Sequence, residues 1–367
     1  MMVCSLANVC CADDIQMADP EGIDNVVNGF WVPRGWSPVN TSSPMGAVLF
    51  NSSINGTELA NISLPDTHNG VRVCEDDNHA QLLERDTKLF VSCRNTSTLV
   101  LYNRLRGEIE WVLGGKAGDF DIIEADGTFH EKGSLRWFGQ HNAEYFGDSE
   151  VFMFDDQFGR YAPSRIISVR VDNTSKVANI TWEFVIPYAY PYGYSPIFGE
   201  ADRLPTGNVL SQFWPSTQEE GTMEFDLRIF EVATATNDFA WAVDVYSHPN
   251  ATFSGGRKAS SGGYGDTPGW LSYSSERFYD SPLVWKVSWS DDVISFKTVN
   301  SLKQSHQSRG HYRIVDASES TIVSGSFLFV PHWKTTEVAI GLTSGPSASA
   351  RVEVWNEWGQ VTRKALS

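Results

Sequence analysis

Two histidines stand at the same distance ahead of two apolar runs, and such a pair can transfer protons or attack an electrophile. His79 lies eleven residues before Phe90, and His141 lies eleven residues before Phe152. Because imidazole titrates near neutral pH, either side chain can accept or donate a proton under ordinary conditions. A third copy of this spacing has Gly199 in the histidine position. The structural alternative is a pair of strand-edge histidines bonded to backbone carbonyls.

Two arginines near these runs add the chemistry of anion binding. Arg94 follows the first run and Arg160 follows the second. The planar guanidinium group matches a tetrahedral oxyanion such as sulfate or phosphate, so these residues predict an oxyanion site with proton-transfer ability. Asp155 and Asp156 end a predicted strand just before the second arginine. Their carboxylates could orient a histidine or an arginine, and turn formation is the alternative.

The elements that must position these side chains are predicted to be β-strands in a repeat. Each eleven-residue unit is followed by a predicted hairpin, over residues 98–113, 165–184 and 226–243. The return strand of each hairpin carries one tryptophan: Trp111, Trp182 and Trp241. Four strands per repeat of roughly 50 to 70 residues are typical of a β-propeller, where equivalent positions converge near the axis. We therefore expect His79 and His141 to face each other across the mouth of a channel.

Apolar runs broken by Gly, Asn, Asp and Pro predict an all-β chain of 367 residues. We expect a partly disordered N-terminal segment followed by a propeller, whose N-terminal end either is complete or lacks part of a blade. After the propeller we expect a Gly/Ser-rich linker or loop, and then a C-terminal segment that forms either a β-sandwich or closing blades. The corresponding boundaries are 1–30, 31–252, 253–280 and 281–367. Within 31–75 the sequence predicts one hairpin around Asn55-Gly56.

The net charge of −17 argues against a nucleic-acid-binding surface, because such affinity comes mainly from Lys and Arg. It also suits a protein repelled by anionic membranes. The sequence contains no run of about 18 apolar residues and therefore predicts no transmembrane helix. No signal peptide is visible before Cys11, and the sequence leaves open whether the start is truncated. We expect no metal and no cofactor.

The number of Asn-x-Ser/Thr sequons exceeds the roughly three expected by chance, which favours a glycoprotein of the secretory pathway. A Ser/Thr/Asn-rich turn composition is the alternative. The sequons are Asn40, Asn51, Asn55, Asn61, Asn95, Asn173, Asn179 and Asn250. Of the five cysteines, Cys74 and Cys93 could form a disulfide in an oxidising compartment or remain free thiols in the core.

Over about residues 75–245 the chain resembles the arylsulfotransferase (arylsulfate sulfotransferase) family, with a closer likeness to its eukaryotic branch. The order and spacing of several motifs carry the resemblance: Asn78-His79, Ser92-Cys93-Arg94, Gly107-Glu108-Ile109-Glu110-Trp111, Gly118-Asp119-Phe120, Gln140-His141-Asn142-Ala143, Phe154-Asp155-Asp156-Gln157-Phe158-Gly159-Arg160 and Arg203-Leu204-Pro205-Thr206-Gly207-Asn208.

This resemblance implies a six-bladed propeller that transfers a sulfuryl group from a phenolic sulfate ester to a phenol, without a nucleotide sulfate donor. It implies that His79 and His141 are pocket histidines, that Arg160 binds sulfate, and that Arg94 and Asn142 contribute to binding. Bacterial members use a further histidine that becomes sulfated, and this chain has no histidine between Arg160 and Ser247. Three alternatives therefore stay open: nucleophilic His79 or His141, direct transfer, or a non-catalytic glycosylated propeller that binds a sulfated or phenolic ligand or a protein.

Overall fold

The computed structural model describes residues 2–5, 23–27, 30–33, 64–83, 87–147, 149–189, 192–215, 227–245, 274–277, 279–290, 292–301, 303, 307–342 and 350–366. Within these ranges every regular element is a β-strand, which confirms the all-β class. No helix in the described ranges has the length and apolar character needed to cross a membrane. The first five strands are β1 (Met2–Ser5), β2 (Ile23–Val27), β3 (Phe30–Pro33), β4 (Thr67–His68) and β5 (Val71–Arg72).

The chain divides into two compact units, one of residues 4–202 and 209–275 and one of residues 1–3, 203–208 and 276–367. The larger unit begins with an antiparallel sheet in which each strand pairs with the next along the chain. Its strands are β6 (Asp77–Leu83), β7 (Lys88–Cys93), β8 (Thr98–Asn103) and β9 (Glu108–Leu113).

The second sheet repeats this order and adds two short strands. Those are β10 (Asp121–Ile123) and β11 (Phe129–His130), and the antiparallel meander is β12 (His141–Tyr145), β13 (Glu150–Asp155), β14 (Arg165–Asp172) and β15 (Val177–Val185). Strand β10 runs parallel to β15 at the outer side of the meander. The third sheet is the meander of β16 (Glu200–Arg203), β17 (Val209–Phe213), β18 (Leu227–Ala233) and β19 (Asp238–Val245).

The hairpins of the three meanders share one turn geometry that the sequence sets. In each, the residue just before the returning strand takes a left-handed conformation: Gly107 at φ 69°, Lys176 at φ 57° and Asn237 at φ 56°. In the first hairpin the Asn103 side chain accepts hydrogen bonds from the backbone N–H groups of Leu105 and Arg106. Asx side chains stabilise turns in this way, so each pair of long strands returns antiparallel.

Successive sheets of the larger unit pack face to face through apolar side chains. Phe90 and Trp111 of the first sheet lie in one buried cluster with Met153 and Ile167 of the second. Phe184 of the second sheet packs against Phe239 of the third, with ring centroids 5.5 Å apart. Each fully buried side chain of this size stabilises the fold by about 1.5–3 kcal/mol.

The first strands of the first two sheets are neighbours. The Gln81 side chain accepts a hydrogen bond from the Tyr145 backbone N–H at 2.8 Å and donates to its carbonyl at 3.2 Å. A face-to-face series of meanders with neighbouring first strands is what a propeller requires. None of the described sheets closes on itself, so the propeller and its six blades stay predictions.

A disulfide joins Cys74 to Cys93, with Cα atoms 5.1 Å apart. Of the two alternatives that the sequence left open for these cysteines, the structure therefore has the disulfide and not the free thiols. Both cysteines are buried in a cluster on the other face of the first sheet, with Val73, Leu89 and Val100. The bridge therefore fastens the segment before β6 to the end of β7.

After β20 (Ser274–Arg277), the smaller unit contains two antiparallel sheets that share one core. The strands are β21 (Leu283–Ser290), β22 (Val293–Val299), β23 (Ser308–Val315), β24 (Thr321–Phe329), β25 (Thr336–Gly341), β26 (Arg351–Asn356) and β27 (Val361–Ala365). One sheet has the order β21-β22-β25 and the other β24-β23-β26-β27. Phe296 and Ile340 of the first pack in one cluster with Ile314, Phe329 and Val354 of the second.

Several predictions from the sequence fall on residues without a structural description. The hairpin around Asn55-Gly56, most of residues 1–30 and most of residues 253–280 lie outside the described ranges. The same holds for the sequons at Asn40, Asn51, Asn55, Asn61 and Asn250. Asn95 and Asn173 are exposed in turns, and Asn179 is half-buried within β15.

Candidate functional site

His141 is the first residue of β12, and its position depends on irregular backbone on both sides. Gly139 has φ 70°, and a Cβ atom there would lie 2.9 Å from the Cβ of Phe158. The pairing of β12 with β13 shifts register between His141 and Glu144. Within this bulge Asn142 has φ 43°, a left-handed conformation that Asn tolerates better than most residues. Bulges re-aim side chains at the ends of strands, so this one sets the direction of the His141 ring.

The Nδ1 atom of His141 faces two oxygen atoms. It lies 2.7 Å from Oδ2 of Asp156 and 3.0 Å from the carbonyl oxygen of Gly139. Because a carbonyl oxygen only accepts hydrogen bonds, this arrangement assigns the hydrogen to Nδ1. Nδ1–H then donates to both oxygens, and the lone pair of the neutral ring lies on Nε2. Such orientation by a carboxylate prepares imidazole to act as a base or nucleophile.

Burial controls the charge of this pair. His141 is 4% exposed and Asp156 is 0% exposed. Burial, assisted by the positive charge of Arg94, lowers the pKa of His141 from 6.5 to about 3. Burial raises the pKa of Asp156, as does the neighbouring Asp155, while Arg94 opposes the rise. The His141 ring is consequently uncharged at neutral pH and keeps its Nε2 lone pair.

Arg94 supplies the positive charge nearest to this pair. Its guanidinium group donates to the carbonyl oxygen of Pro196 at 3.1 Å and lies 3.4 Å from Oδ2 of Asp76. The group also lies over the ring of Phe158, 4.9 Å from its centroid. These contacts hold a cation beside His141 with 13% of the side chain exposed, where a sulfate or phosphate oxygen could reach it.

Aromatic side chains form a wall beside His141. The ring of Phe198 meets the imidazole edge-on with centroids 6.2 Å apart, and Trp214 lies 6.5 Å from Phe198. Phe198 has φ 66°, which is unusual for a bulky residue. Strained backbone of this kind is enriched at functional sites. An aryl ring held against this wall would lie next to the imidazole, because offset and edge-on ring contacts are favourable.

Asn142 contacts a carboxylate rather than open space. Its amide nitrogen donates to Oε1 of Glu200 at 2.7 Å, and both side chains are buried. The other carboxylate oxygen of Glu200 accepts a hydrogen bond from the backbone N–H of Ser275. Asn142 therefore ties β12 to β16, and its substrate-binding role stays a prediction.

His79 lies near the start of β6, opposite Ser92 of β7, and is half-buried. The side chain of the preceding Asn78 donates to the carbonyl oxygen of Gln140 at 2.6 Å. This bond brings the start of β6 next to the residue before His141. The two histidines therefore lie on neighbouring strands of successive sheets, and their convergence at a channel mouth stays a prediction.

Arg160 lies in the turn after β13 and is exposed. Its guanidinium group covers the ring of Phe138 at 4.4 Å from the centroid. Of the two predicted arginines, Arg94 is the one whose charge acts on His141 and Asp156. The structure thus brings together His141, Asp156 and Arg94, with His79 on the adjoining strand and Arg160 on the surface.

Phe198 and Trp214 are the site residues that sequence reasoning missed. Phe198 directly precedes Gly199, which holds the histidine position of the third repeat copy. That register was the available signal, although it pointed to the glycine and not to its neighbour. Across the described residues, no cluster of three or more His, Cys, Asp or Glu side chains is arranged to hold a metal ion.

Comparison with known proteins gives one informative match. Residues 77–254 match a family described as Arylsulfotransferase (ASST), and no curated protein matches the chain. Among solved structures, the chain is similar to Kuenenia stuttgartiensis hydrazine synthase at 8% identity and a TM-score of 0.27, over 81% of this chain and 69% of that one. It is also similar to a functionally unknown protein from Desulfotomaculum acetoxidans DSM 771 at 11% identity and a TM-score of 0.26, over 80% and 86%. Scores this low support no argument, so the family match alone bears on function.

Proposed function

We propose that the protein transfers a sulfuryl group from a phenolic sulfate ester to a phenolic acceptor, because residues 77–254 match the family described as Arylsulfotransferase (ASST). The observation that carries this proposal is the neutral His141, oriented by Asp156 at 2.7 Å and flanked by Arg94. A neutral, oriented imidazole beside a fixed cation suits attack on the sulfur atom of a negatively charged ester.

In the first half-reaction, the Nε2 lone pair of His141 attacks sulfur. The N–S bond forms as the bond between sulfur and the aryl oxygen breaks, and the electron pair leaves on the phenolate oxygen. The sulfated imidazole carries a positive charge with Nδ1–H retained, and the carboxylate of Asp156 stabilises that charge. Arg94 binds the sulfuryl oxygens, where charge develops in the transition state.

In the second half-reaction, the oxygen of the acceptor phenol attacks sulfur. The N–S bond breaks and its electron pair returns to Nε2 of His141. His79, on the neighbouring strand, protonates the departing phenolate in the first half-reaction and accepts the proton of the acceptor phenol in the second. The wall of Phe198 and Trp214 supports the proposal, since it offers aromatic contact to both aryl groups.

A second candidate is a binding module that holds an aryl sulfate without turnover. The low exposure of His141, 4%, favours it, because the nucleophile would need room for the sulfur atom. The absence of any histidine from 161 to 247 also favours it. This candidate predicts saturable binding with no release of phenol.

We also propose a propeller architecture for the larger unit and a route through the secretory pathway. The face-to-face meanders support the architecture. The sequons support the route, as does the Cys74–Cys93 disulfide, since such bridges persist in oxidising compartments. Expression in a secreting eukaryotic cell followed by glycosidase treatment and peptide mass spectrometry tests it: glycans are expected at the exposed Asn95 and Asn173, and their absence would count against secretion.

The test of function uses 4-nitrophenyl sulfate with and without added phenol. Release of 4-nitrophenolate that depends on the phenol indicates sulfuryl transfer. Release without it indicates hydrolysis, and no release by folded protein indicates the binding module, which equilibrium dialysis of the same ester then checks. His141→Ala is expected to abolish transfer, while His130→Ala, at β11, serves as the histidine control. Rapid quenching and peptide mass spectrometry should find one added sulfuryl group on His141; equal activity of His141→Ala and the unmodified chain would refute the assignment.

A further inference from the structure

The charge of the chain is distributed unevenly. Residues 281–367 contain nine Lys and Arg against seven Asp and Glu, a surplus of two positive charges. The preceding 280 residues contain 19 Lys and Arg against 38 Asp and Glu. The C-terminal segment therefore has the opposite sign to a strongly acidic remainder, and charge asymmetry of this kind often marks an interaction surface.

All four arginines of this segment lie on one sheet and on one face of it. Arg309 and Arg313 are on β23, Arg351 is on β26 and Arg363 is on β27. Side chains alternate along a strand, and the intervening residues of these strands, such as Ile314 and Val352, enter the shared core. The arginines are therefore on the outer face, here called the arginine face.

The centre of the arginine face is a single buried carboxylate. Strand pairing places Arg313 and Arg363 on either side of Glu353, and the Nε atom of each arginine donates to it at 3.0 Å. Arg351 approaches the same carboxylate at 3.5 Å. Although burial raises the pKa of Glu353, hydrogen bonds from Arg313 and Arg363 hold it below its usual value.

Much of the cationic surface stays accessible around that carboxylate. The Arg363 side chain is 57% exposed and that of Arg313 is 40% exposed, whereas that of Glu353 is 3% exposed. Arg351 also pairs with Glu319 in the turn after β23. The network of Arg313, Arg351 and Arg363 with Glu353 and Glu319 leaves one positive charge, and Arg309 on the same face adds a second.

An aromatic platform lies in the next row of the same face. His311 pairs with Trp355 across β23 and β26, and their rings stack at an interplanar angle of 17° with centroids 5.6 Å apart. Beyond that row Arg309 is exposed and lies opposite the exposed Leu328 of β24. Arg309 and Arg313 are four residues apart, about 13 Å along an extended strand. Cations and flat apolar rings thus alternate along a strip.

We propose that the arginine face binds an anionic, sulfated polysaccharide. Guanidinium groups match sulfate oxygens, and the ring platform matches the flat faces of sugar rings. A flexible single polysaccharide chain can follow this strip within a Debye length of about 8 Å. A membrane surface or a nucleic-acid duplex extends beyond the strip, so much of its negative charge would have no arginine to pair with. The proposal is independent of the sulfuryl-transfer function.

The test measures binding of the full chain to dextran sulfate over a series of salt concentrations, with unsulfated dextran as the matched probe. Dextran sulfate is expected to bind with an affinity that falls as salt rises, and unsulfated dextran is not. Arg309→Gln with Arg363→Gln should lower the affinity at least about tenfold and the log–log salt slope by about two, one for each lost ion contact. Lys286→Gln with Lys297→Gln removes two charges from the other sheet and should change neither.

A further variant separates ring contact from charge. Trp355→Leu should weaken dextran sulfate binding and leave the salt slope unchanged, because it removes an apolar contact and no ion contact. Equal losses in the arginine and lysine double variants would overturn the proposal, as would equal binding of dextran sulfate and dextran. Tighter binding of duplex DNA or of vesicles containing phosphatidylserine than of dextran sulfate would also overturn it. If Trp355→Leu does not fold, the comparison of the arginine double variant with the lysine double variant still tests the proposal.

Discussion

Asp156→Asn changes one oxygen atom beside the proposed nucleophile and leaves the size of the side chain almost unaltered. The wild-type carboxylate accepts the Nδ1–H of His141 at 2.7 Å, and the Gly139 carbonyl accepts the same hydrogen at 3.0 Å. Because the carbonyl remains in the variant, the tautomer with its lone pair on Nε2 is retained. The variant cannot carry the negative charge that, in the proposed mechanism, stabilises the sulfated, positively charged imidazole; that cationic ring in turn opposes the rise that burial imposes on the pKa of Asp156.

The size of the effect follows from that single loss. A hydrogen bond to a charged group contributes about 1.5–3 kcal/mol, which corresponds to a fall in kcat of about 10-fold to 150-fold. Because Asp156 contacts His141 and is not proposed to contact the aryl sulfate, the KM for the aryl sulfate should stay close to its wild-type value. A loss of tautomer control would cost far more, about 10⁴-fold in a serine-protease triad.

The assay is steady-state transfer from 4-nitrophenyl sulfate to phenol, normalised to the folded fraction measured by thermal unfolding. Asp155→Asn is the matched control, because it makes the same change one residue away. Asp155 faces Arg165 at 2.9 Å and the backbone N–H of Phe138 at 2.8 Å rather than His141, so its loss should lower stability and spare kcat per folded molecule. Wild-type kcat in folded Asp156→Asn would refute the role of Asp156, and so would equal losses in both variants.

Further predictions concern the cations, the pH profile and the disulfide. Arg94→Gln should reduce kcat/KM by about 10²–10³-fold and Arg160→Gln much less; the reverse order in transfer assays would return the sulfate-binding role to Arg160. Because the pKa of His141 is lowered from 6.5 to about 3, the ring in the folded protein stays neutral until the pH falls towards 3. The contribution of the neutral ring to folding stability is fully present above pH 6.5 and is lost as the pH falls from 6.5 towards 3. The acidic limb of a kcat/KM profile should therefore lie well below pH 6.5, and a limb at 6.5 would contradict this burial. Replacing Cys74 and Cys93 by Ser should lower the unfolding free energy by about 3 kcal/mol in urea titrations, as expected for closing a loop of this length; an unchanged midpoint would mean that the bridge does not form.

The strand repeat could be predicted because its signals are local. Alternating apolar residues and Asx or Gly turns fix each hairpin within about twenty residues, and the meanders of the structure follow them, with Trp111, Trp182 and Trp241 on the returning strands. Closure of the sheets into a ring depends on contacts between distant segments. The sequence pattern carries no equally direct signal for those contacts.

The same limit explains which site residues were predicted. His141 was found because it shares with His79 a fixed distance to the next apolar run, and Arg94 because it follows the first of these runs and is basic. Phe198 reaches His141 from 57 positions away in the sequence through a left-handed backbone, which no spacing rule reveals. The motif assigned sulfate binding to Arg160. In the structure the Arg160 side chain follows the turn at Gln157, which has φ 59°, and is exposed on the surface, where it covers the ring of Phe138.

The absence of a histidine at the third copy of the repeat register has a physical basis in the backbone at Gly199. This residue has φ 105°, and a Cβ atom there would lie 2.3 Å from the ring of Phe154, which is fully buried. No histidine can occupy that register without displacing the core of the second sheet. The preceding residue, Phe198, instead presents its ring to His141. In the proposed mechanism, nucleophilic attack is assigned to His141 and proton transfer to His79, and the third repeat contributes an aromatic surface in place of a third imidazole.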